Sequence, residues 1–394
     1  MSDAPRSRAL GQPALPTIPL FDLELEPEDL EAVTDTLRSG WLTMGPRTEA
    51  FEGAFAEHLG VRHALALASG TAALHLAYLA AGIGPGDEVI VPAFTFVATA
   101  NAVLYCGGQP VFADIAGLED PCIDPAEVER LITPRTRAVA AVHFGGYPAA
   151  VDALAELCRE RGLALIEDAA HAPSATLGGR KLGTFGLAGA FSLFSNKVLS
   201  VGEGGLLATD DDDVASRVRR LRSHAMTSGT WDRHRGHADS YDVVDIGFNY
   251  RLDEPRAALA LSRLPRLEAE IARRRELTLT YRDRLEGVPD IILPFTAEDV
   301  SRSSCYVMPI MLRRPEQRAA LRRVLREEHG IQTSILYPAV HEFSAYRERF
   351  PGVSLPRTEL AASSELTIPL YPHMTAAEQE QVVGGIKHTL QART

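Results

Sequence analysis

A chain of 394 residues that is 45% hydrophobic and 23% charged has the make-up of a folded globular protein with room for one large and one small domain. Its formal charge of -12 argues against a nucleic-acid-coating surface, which needs clustered basic charge, so an anionic ligand must be met by local groups. No apolar run approaches the ~20 residues of a membrane helix, the opening MSDAPRSRALGQPALP lacks the apolar centre of a signal peptide, and Cys106, Cys122, Cys158 and Cys305 form no CxxC pair; a cytoplasmic protein with reduced thiols and no metal site is expected.

Residues 1–20 carry Pro5, Pro13, Pro16 and Pro19 with little periodicity and predict an extended arm. From Pro27 to Leu37 an acidic start and the spacing of Leu30, Val33 and Leu37 predict an amphipathic helix that stops at Ser39-Gly40. The loop SGWLTMGP, with Trp41, leads to a second helix, Arg47 to Leu59, with Phe51, Phe55 and Leu59 on one face. HALALASGTAALHLAYLAAG then predicts a strand, a turn at Ser69-Gly70-Thr71 and a helix buried on both sides. That turn is either a plain Ser/Thr N-cap or, through its glycine, hydroxyls and free N–H groups, an anion site suited to a phosphate.

Next come a strand ending at Pro92, then Phe94 and Phe96 opening a further helix, then the strands VFADI, AVAAVHFGG and LALIEDAA separated by helices at Pro125–Leu131 and Val151–Arg161. Strands alternating with helices predict a mostly parallel sheet with helices on both faces, and ligands in such sheets bind at the carboxyl ends of strands. Asp168 stands at such an end. It is either a surface acid or a partner for a protonated pyridine nitrogen, with His171 in reach.

The run Phe191-Ser192-Leu193-Phe194 predicts a buried strand, and Lys197 follows it. A lysine emerging there is partly desolvated, which lowers its pKa toward neutrality and makes it a nucleophile fit for a Schiff base with an aldehyde such as pyridoxal phosphate. The glycines after it, Gly202, Gly204 and Gly205, allow close approach of the main chain, but Leu207 breaks a dinucleotide-binding pattern. Asp210 to Asp213 opens a helix. TSGTWDRHRGHADSY, Thr227 to Tyr241, is polar and aperiodic and predicts a long loop, whose His234 and His237 lack matched ligands for a metal. Leu264 to Leu285 is a long arginine-rich helix; strands at Tyr306 to Leu312, a helix at Pro315 to His329 and a last helix from Thr375 make a smaller α+β domain. The expected organisation is the arm 1–20, a large α/β domain 21–262, and a linking helix with a small domain 263–394.

In this order, SGWLTMGP, SGTAALHLA, GPGDEVIVPAFTFVATANAV, VHFGGYPA, IEDAAHA, FSLFSNK, GEGG, IGFNYRLDEPRAA, LYPAVHEFSAY and LTIPLYPHMT closely resemble the DegT family of nucleotide-sugar aminotransferases, fold-type-I enzymes that use pyridoxal phosphate. The resemblance implies that Lys197 is the Schiff-base lysine and proton shuttle, Asp168 the pyridine-nitrogen partner and Phe96 the residue on the ring face. It implies phosphate ligands at Gly70, Thr71 and Ser192, His171 near the ring hydroxyl, and Asn249 reaching the cofactor of a neighbouring subunit in a homodimer with shared sites. Trp41, Arg251, Tyr337 and His341 are implied on the substrate side. The implied reaction moves an amino group from glutamate, or a similar donor, to a keto group of a nucleotide-linked deoxysugar. An aminotransferase acting on a cyclic ketone such as an inosose is the alternative; sugar dehydratases of the family carry His in place of Lys197, and a non-catalytic regulator would not need the lysine and acid together. Arg256 replaces a more usual Gln, and Pro173-Ser174 a more usual His/Gly pair, departures that bear on substrate identity rather than on the cofactor.

Overall fold

Short apolar runs bounded by turn residues fold as strands, and the first five all enter the central sheet: β1 (His63–Leu67), β2 (Glu88–Pro92), β3 (Gln109–Ala113), β4 (Thr136–Val142) and β5 (Ala164–Asp168). The computed structural model describes residues 18–236 and 239–391, so most of the expected arm, and His237, lie outside the described residues. Two-residue strands β6 (Thr176–Leu177) and β7 (Arg180–Lys181) form a separate hairpin, and β8 (Ala188–Ser192) and β9 (Gly205–Thr209) complete the sheet in the order β1-β9-β8-β5-β4-β2-β3. Neighbours among β2, β3, β4, β5 and β8 pair in parallel, whereas β9 is antiparallel to β8 and β1. The fold is thus α/β with a mostly parallel sheet, as expected.

Alternation along the strands divides the core into two layers. Ala64 and Ala66 face one cluster with Phe51 and Phe55 of α2 (Pro46–Leu59), while Leu65 and Leu67 face the other. The second layer contains α3 (Gly70–Ala80), α4 (Ala98–Tyr105) and, beyond α5 (Pro125–Leu131) and α6 (Val151–Arg161), α7 (Asp212–Leu221). In α3 every residue from Ala72 to Tyr78 is buried, which accounts for its apolar composition all round.

The C-terminal part follows α8 (Thr230–His234), α9 (Glu254–Arg263) and α10 (Leu267–Leu285). It holds a three-stranded antiparallel sheet of β10 (Ile291–Ile292), β11 (Met308–Leu312) and β12 (Glu365–Ile368), with helices α11 (Ala297–Arg302), α12 (Arg318–Glu327), α13 (Ser344–Arg349), α14 (Pro356–Ser364) and α15 (Ala376–Gln391). Residues 18–20 join it: Ile18 bridges to Ile331, and Leu370 N–H donates to the Leu20 carbonyl. Among the described residues no helix is long and apolar enough to cross a membrane. The four cysteines are buried and unpaired, and burial pushes the Cys106 and Cys158 thiols up to about 12.

Several expectations need correction. The first helix, α1 (Pro27–Ser39), forms, but Leu30 and Leu37 are exposed, and Asp29 and Thr36 face inward. Asp29 accepts from Ser262 Oγ (2.7 Å) and Arg266 (2.6 Å) and from the Glu26 N–H, so a polar clamp sets the helix orientation. The strand before Lys197 ends at Ser192, two residues earlier than its apolar pattern suggests, and Phe194 is exposed. Phe94 does not open a helix and does not line the Lys197 cavity; it is buried against Phe144, ring centroids 5.0 Å apart, and α4 begins at Ala98. The polar stretch after Thr227 contains the short helix α8, anchored where Trp231 and His234 pack on Trp41.

Candidate active site

Strands β4, β5 and β8 all end at one edge of the sheet, and a cavity of about 310 Å³ opens there. Val142 supplies the end of β4, Asp168 that of β5 and Ser192 that of β8, and the start of α3 closes the floor with Ser69, Gly70 and Thr71. Phe96, His171, Lys197 and Tyr337 complete the part expected from sequence.

The start of α3 is held open for a ligand by two glycines. Ser69 caps the helix, its Oγ accepting from the Ala72 N–H (3.1 Å) while its carbonyl takes the Ala73 N–H. That leaves the N–H groups of Gly70 and Thr71 without partners among the described residues, the condition for an anion site. A Cβ on Gly70 would meet Ser192 Cβ at 3.0 Å, and one on Gly205 would meet the Ser69 carbonyl carbon at 2.3 Å. Gly205 therefore lets β9 lie against the turn, and Gly70 keeps the turn's mouth clear.

Asp168 is buried. Thr99 Oγ1 donates to its Oδ2 (2.7 Å) and the Ala170 N–H to its Oδ1 (3.2 Å). Because the Thr99 hydroxyl has one proton and the carboxylate is the stronger acceptor, Thr95 Oγ1, 3.0 Å away, is the donor to Thr99. Burial raises the Asp168 pKa, opposed by the Thr99 hydrogen bond and, at longer range, by Lys197. A cationic partner in this cavity would lower that cost.

Lys197 sits in a turn closed by its N–H donating to the Phe194 carbonyl (2.8 Å). Its amine makes no hydrogen bond, and no ion pair within 4.0 Å, among the described residues, and burial lowers its pKa to about 7, with Asp168 pulling the other way. A substantial fraction is therefore the neutral, nucleophilic amine at neutral pH. His171 accepts the Gly145 N–H at Nδ1 (3.3 Å), so its proton lies on Nε2, which donates to Tyr337 Oη (2.9 Å). Burial holds its pKa well below the ordinary histidine value, so the ring stays neutral and the Tyr337 hydroxyl keeps its own proton to donate.

Four predicted residues are not brought to this cavity by the chain's own fold. Trp41 stacks on Trp231 (4.7 Å between centroids) and His234, and Arg251 lines a separate cavity with Trp231 and Arg222. Asn249 is exposed, and His341 lies buried against Glu359 (3.2 Å). Conversely, Thr95, Thr99, Asn196, Glu203, Tyr306 and Leu336 belong to the site's surroundings without having been expected. Thr99 was within reach of inference, one helical turn beyond Phe96; Tyr306 comes from a distant segment with no local motif.

The model of the DegT/DnrJ/EryC1/StrS aminotransferase family matches residues 24–387. This chain belongs to that family. Among its relatives, the spore coat polysaccharide biosynthesis protein SpsC of Bacillus subtilis (strain 168) is 38% identical over 370 residues, covering 91% of this chain and 94% of SpsC. The structure of DesV from S. venezuelae in complex with a ketimine intermediate is similar at a TM-score of 0.87 and 37% identity, over 95% of this chain and 98% of that one. NtdA from Bacillus subtilis, with bound cofactor PMP, matches at a TM-score of 0.83 and 31% identity, over 92% and 81% of the two chains. The chain is thus an aminotransferase by family, and the buried lysine and acid lie where its sheet opens.

Proposed function

We propose that this aminotransferase uses pyridoxal phosphate to move an amino group from glutamate, or a similar donor, to a keto group of a nucleotide-linked deoxysugar. The observation that carries the reading is a buried amine of pKa about 7 sharing one cavity with a buried carboxylate and an open helix N-terminus. The residues fit the cofactor: the bare N–H groups at Gly70 and Thr71 suit a phosphate, and the Asp168 carboxylate suits a protonated ring nitrogen. When bound, pyridoxal phosphate supplies an aldehyde that captures amines and a ring that accepts the electron pair freed at the amine's carbon.

The chain's own groups do the rest. Lys197 Nζ would hold the aldehyde carbon at rest and, once displaced by the donor amine, would take the proton from the donor's carbon and deliver it to the former aldehyde carbon. Asp168 holds its charge against the ring nitrogen, kept in place by Thr99 and the Ala170 N–H. Ser192 would join Gly70 and Thr71 in holding the phosphate, Phe96 would lie against the ring, and neutral His171 would stand near the ring hydroxyl, with its partner Tyr337 toward the substrate. The sugar class is supported by the relative SpsC, named for polysaccharide biosynthesis. A homodimer with shared sites belongs to the same reading, with Asn249 and Arg251 serving the neighbouring subunit; its support is the exposed apolar run Tyr241, Val243, Val244 and Ile246 just before Asn249.

Incubation of the cofactor-loaded protein with glutamate and a set of keto-deoxysugar nucleotides tests the reaction. Stoichiometric 2-oxoglutarate and amino-sugar nucleotide are expected. Amination of an inosose, with every keto-sugar nucleotide untouched, would replace the acceptor class.

A further inference from the structure

Tyr306 lines the Lys197 cavity but has no part in the roles above. The Lys197 amine lies 4.4 Å from the centroid of its ring, inside the range of a cation–π contact. We propose that the Tyr306 ring is the seat of the free Lys197 amine, binding its protonated form by a cation–π contact whenever the lysine is not joined to the cofactor. This rests on the aminotransferase reading, in which the lysine is released by the donor amine, takes a proton from the donor's carbon and must be held, protonated, until it delivers that proton.

Three observations support it. First, the amine has no other close anchor: it makes no hydrogen bond and no ion pair among the described residues, although the site is buried. A desolvated ammonium whose counter-charge, Asp168, acts only from beyond ion-pair distance needs a nearer attractive surface, and an aromatic face supplies one. Second, the ring is fixed before the lysine arrives. It stacks on His171 with centroids 4.4 Å apart and planes at 27°, its N–H donates to the Gly145 carbonyl (2.9 Å), and Arg274 Nη1 donates to its carbonyl (3.4 Å). Third, the contact links the lysine to the histidine pair, since the same His171 ring bonds Tyr337. The other ionisable groups facing this cavity are Asp168, His171, Glu203 and Tyr337; behind the 195–198 turn a second cavity presents Arg263, Arg266, Arg273, Arg274 and Glu270, with His373 and the acids Asp22, Glu24 and Glu26. All of them remain in place in the substitutions below.

The chain has only three lysines, Lys181, Lys197 and Lys387, so full-length protein grown with lysine labelled at Cε gives three signals. Loaded with pyridoxamine phosphate, which leaves the lysine free, it is titrated by NMR, with the Lys197 signal assigned by its loss in Lys197→Arg. Tyr306→Leu should lower the Lys197 midpoint by roughly one unit or more, whereas Tyr306→Phe should stay within about 0.3 units of wild type. Should the leucine variant fail to fold, Tyr306→pentafluorophenylalanine keeps the shape while removing the ring's negative face, and it too should lower the midpoint. An unchanged midpoint with the fluorinated ring, or equal shifts for the Phe and Leu variants, overturns the proposal. The midpoint is read without turnover, so it stands apart from the reaction: a wild-type protein that produces no 2-oxoglutarate from glutamate would refute the function instead.

Discussion

A lysine amine is worth little as a nucleophile while it is protonated, and the burial of Lys197 removes most of that obstacle at neutral pH. The sign is definite. A base with a lowered pKa gains its neutral form as pH rises through that value, so the rate of cofactor capture by the cofactor-free protein should climb with a midpoint near 7. A midpoint near 10, read by stopped-flow absorbance, would mean a solvated lysine. Asp168 is the second residue whose environment matters more than its type. Asp168→Ala removes a buried charge-assisted contact to the ring and should slow the glutamate half-reaction by ~100-fold or more, with Asp168→Asn slowed less. A fall of under tenfold in both, about 1.4 kcal/mol or less, would take Asp168 out of the chemistry. Both residues were legible in sequence because each follows an apolar strand pattern. Tyr306 was not, since what makes it relevant is a contact between segments more than a hundred residues apart.

Elements were readable where burial on both faces produced an unbroken apolar run, as in β1, β4 and α3, and misread where a polar contact decided orientation, as at Asp29 in α1. The lysine-bearing strand was misplaced because Leu193, after its end, is as buried as the strand itself. Two tests belong at this scale. Gly70→Ala puts a methyl against Ser192 Cβ (3.0 Å) and the Phe191 carbonyl (3.4 Å), so it should weaken cofactor binding by about 1–3 kcal/mol, tenfold or more, while global unfolding shifts less. Equal cofactor affinity would separate the turn from the phosphate. At the edge of β12, Glu365 accepts from the Leu336 N–H (2.7 Å) beside Tyr337, and burial raises its pKa to about 8. The folded state then holds a proton that the unfolded chain has lost, so stability falls as pH rises from about 4.5 to 8. Glu365→Gln should remove that slope, gaining on wild type by a few kcal/mol at most across the window. Urea melts showing the same difference at pH 5 and pH 8 would argue that Glu365 does not titrate there.

At the scale of the molecule, the Lys197 cavity within one chain lacks Asn249 and Arg251, which the proposed reading gives to cofactor and substrate, and both lie close in sequence to exposed apolar residues, with Ile246 83% exposed. Such a surface is what a symmetric partner would cover, giving two equivalent sites at one isologous interface. Asn249→Asp would set a carboxylate against the partner's phosphate and should weaken cofactor binding sharply. Mixed with Lys197→Ala and allowed to exchange subunits, it should regain activity, up to about half of wild type per heterodimer, because one site then carries both lesions and the other neither. Verified heterodimers without activity would put both lesions in one site. The departures at Pro173-Ser174 and Arg256 are not among the residues that line the Lys197 cavity. Ser174 adopts a left-handed backbone (φ 62°) and bonds His58, and Arg256 is committed to Asp253 (2.8 Å) and the Glu203 carbonyl (3.1 Å).

The most direct test of the whole scheme is a mass map. Cofactor-loaded protein is reduced with borohydride, digested, and its three lysine peptides are weighed. The pyridoxyl group should appear on Lys197 alone, and prior treatment with glutamate should abolish it. Label on Lys181 or Lys387, with Lys197 unmodified, would contradict the assignment on which the proposed reaction rests.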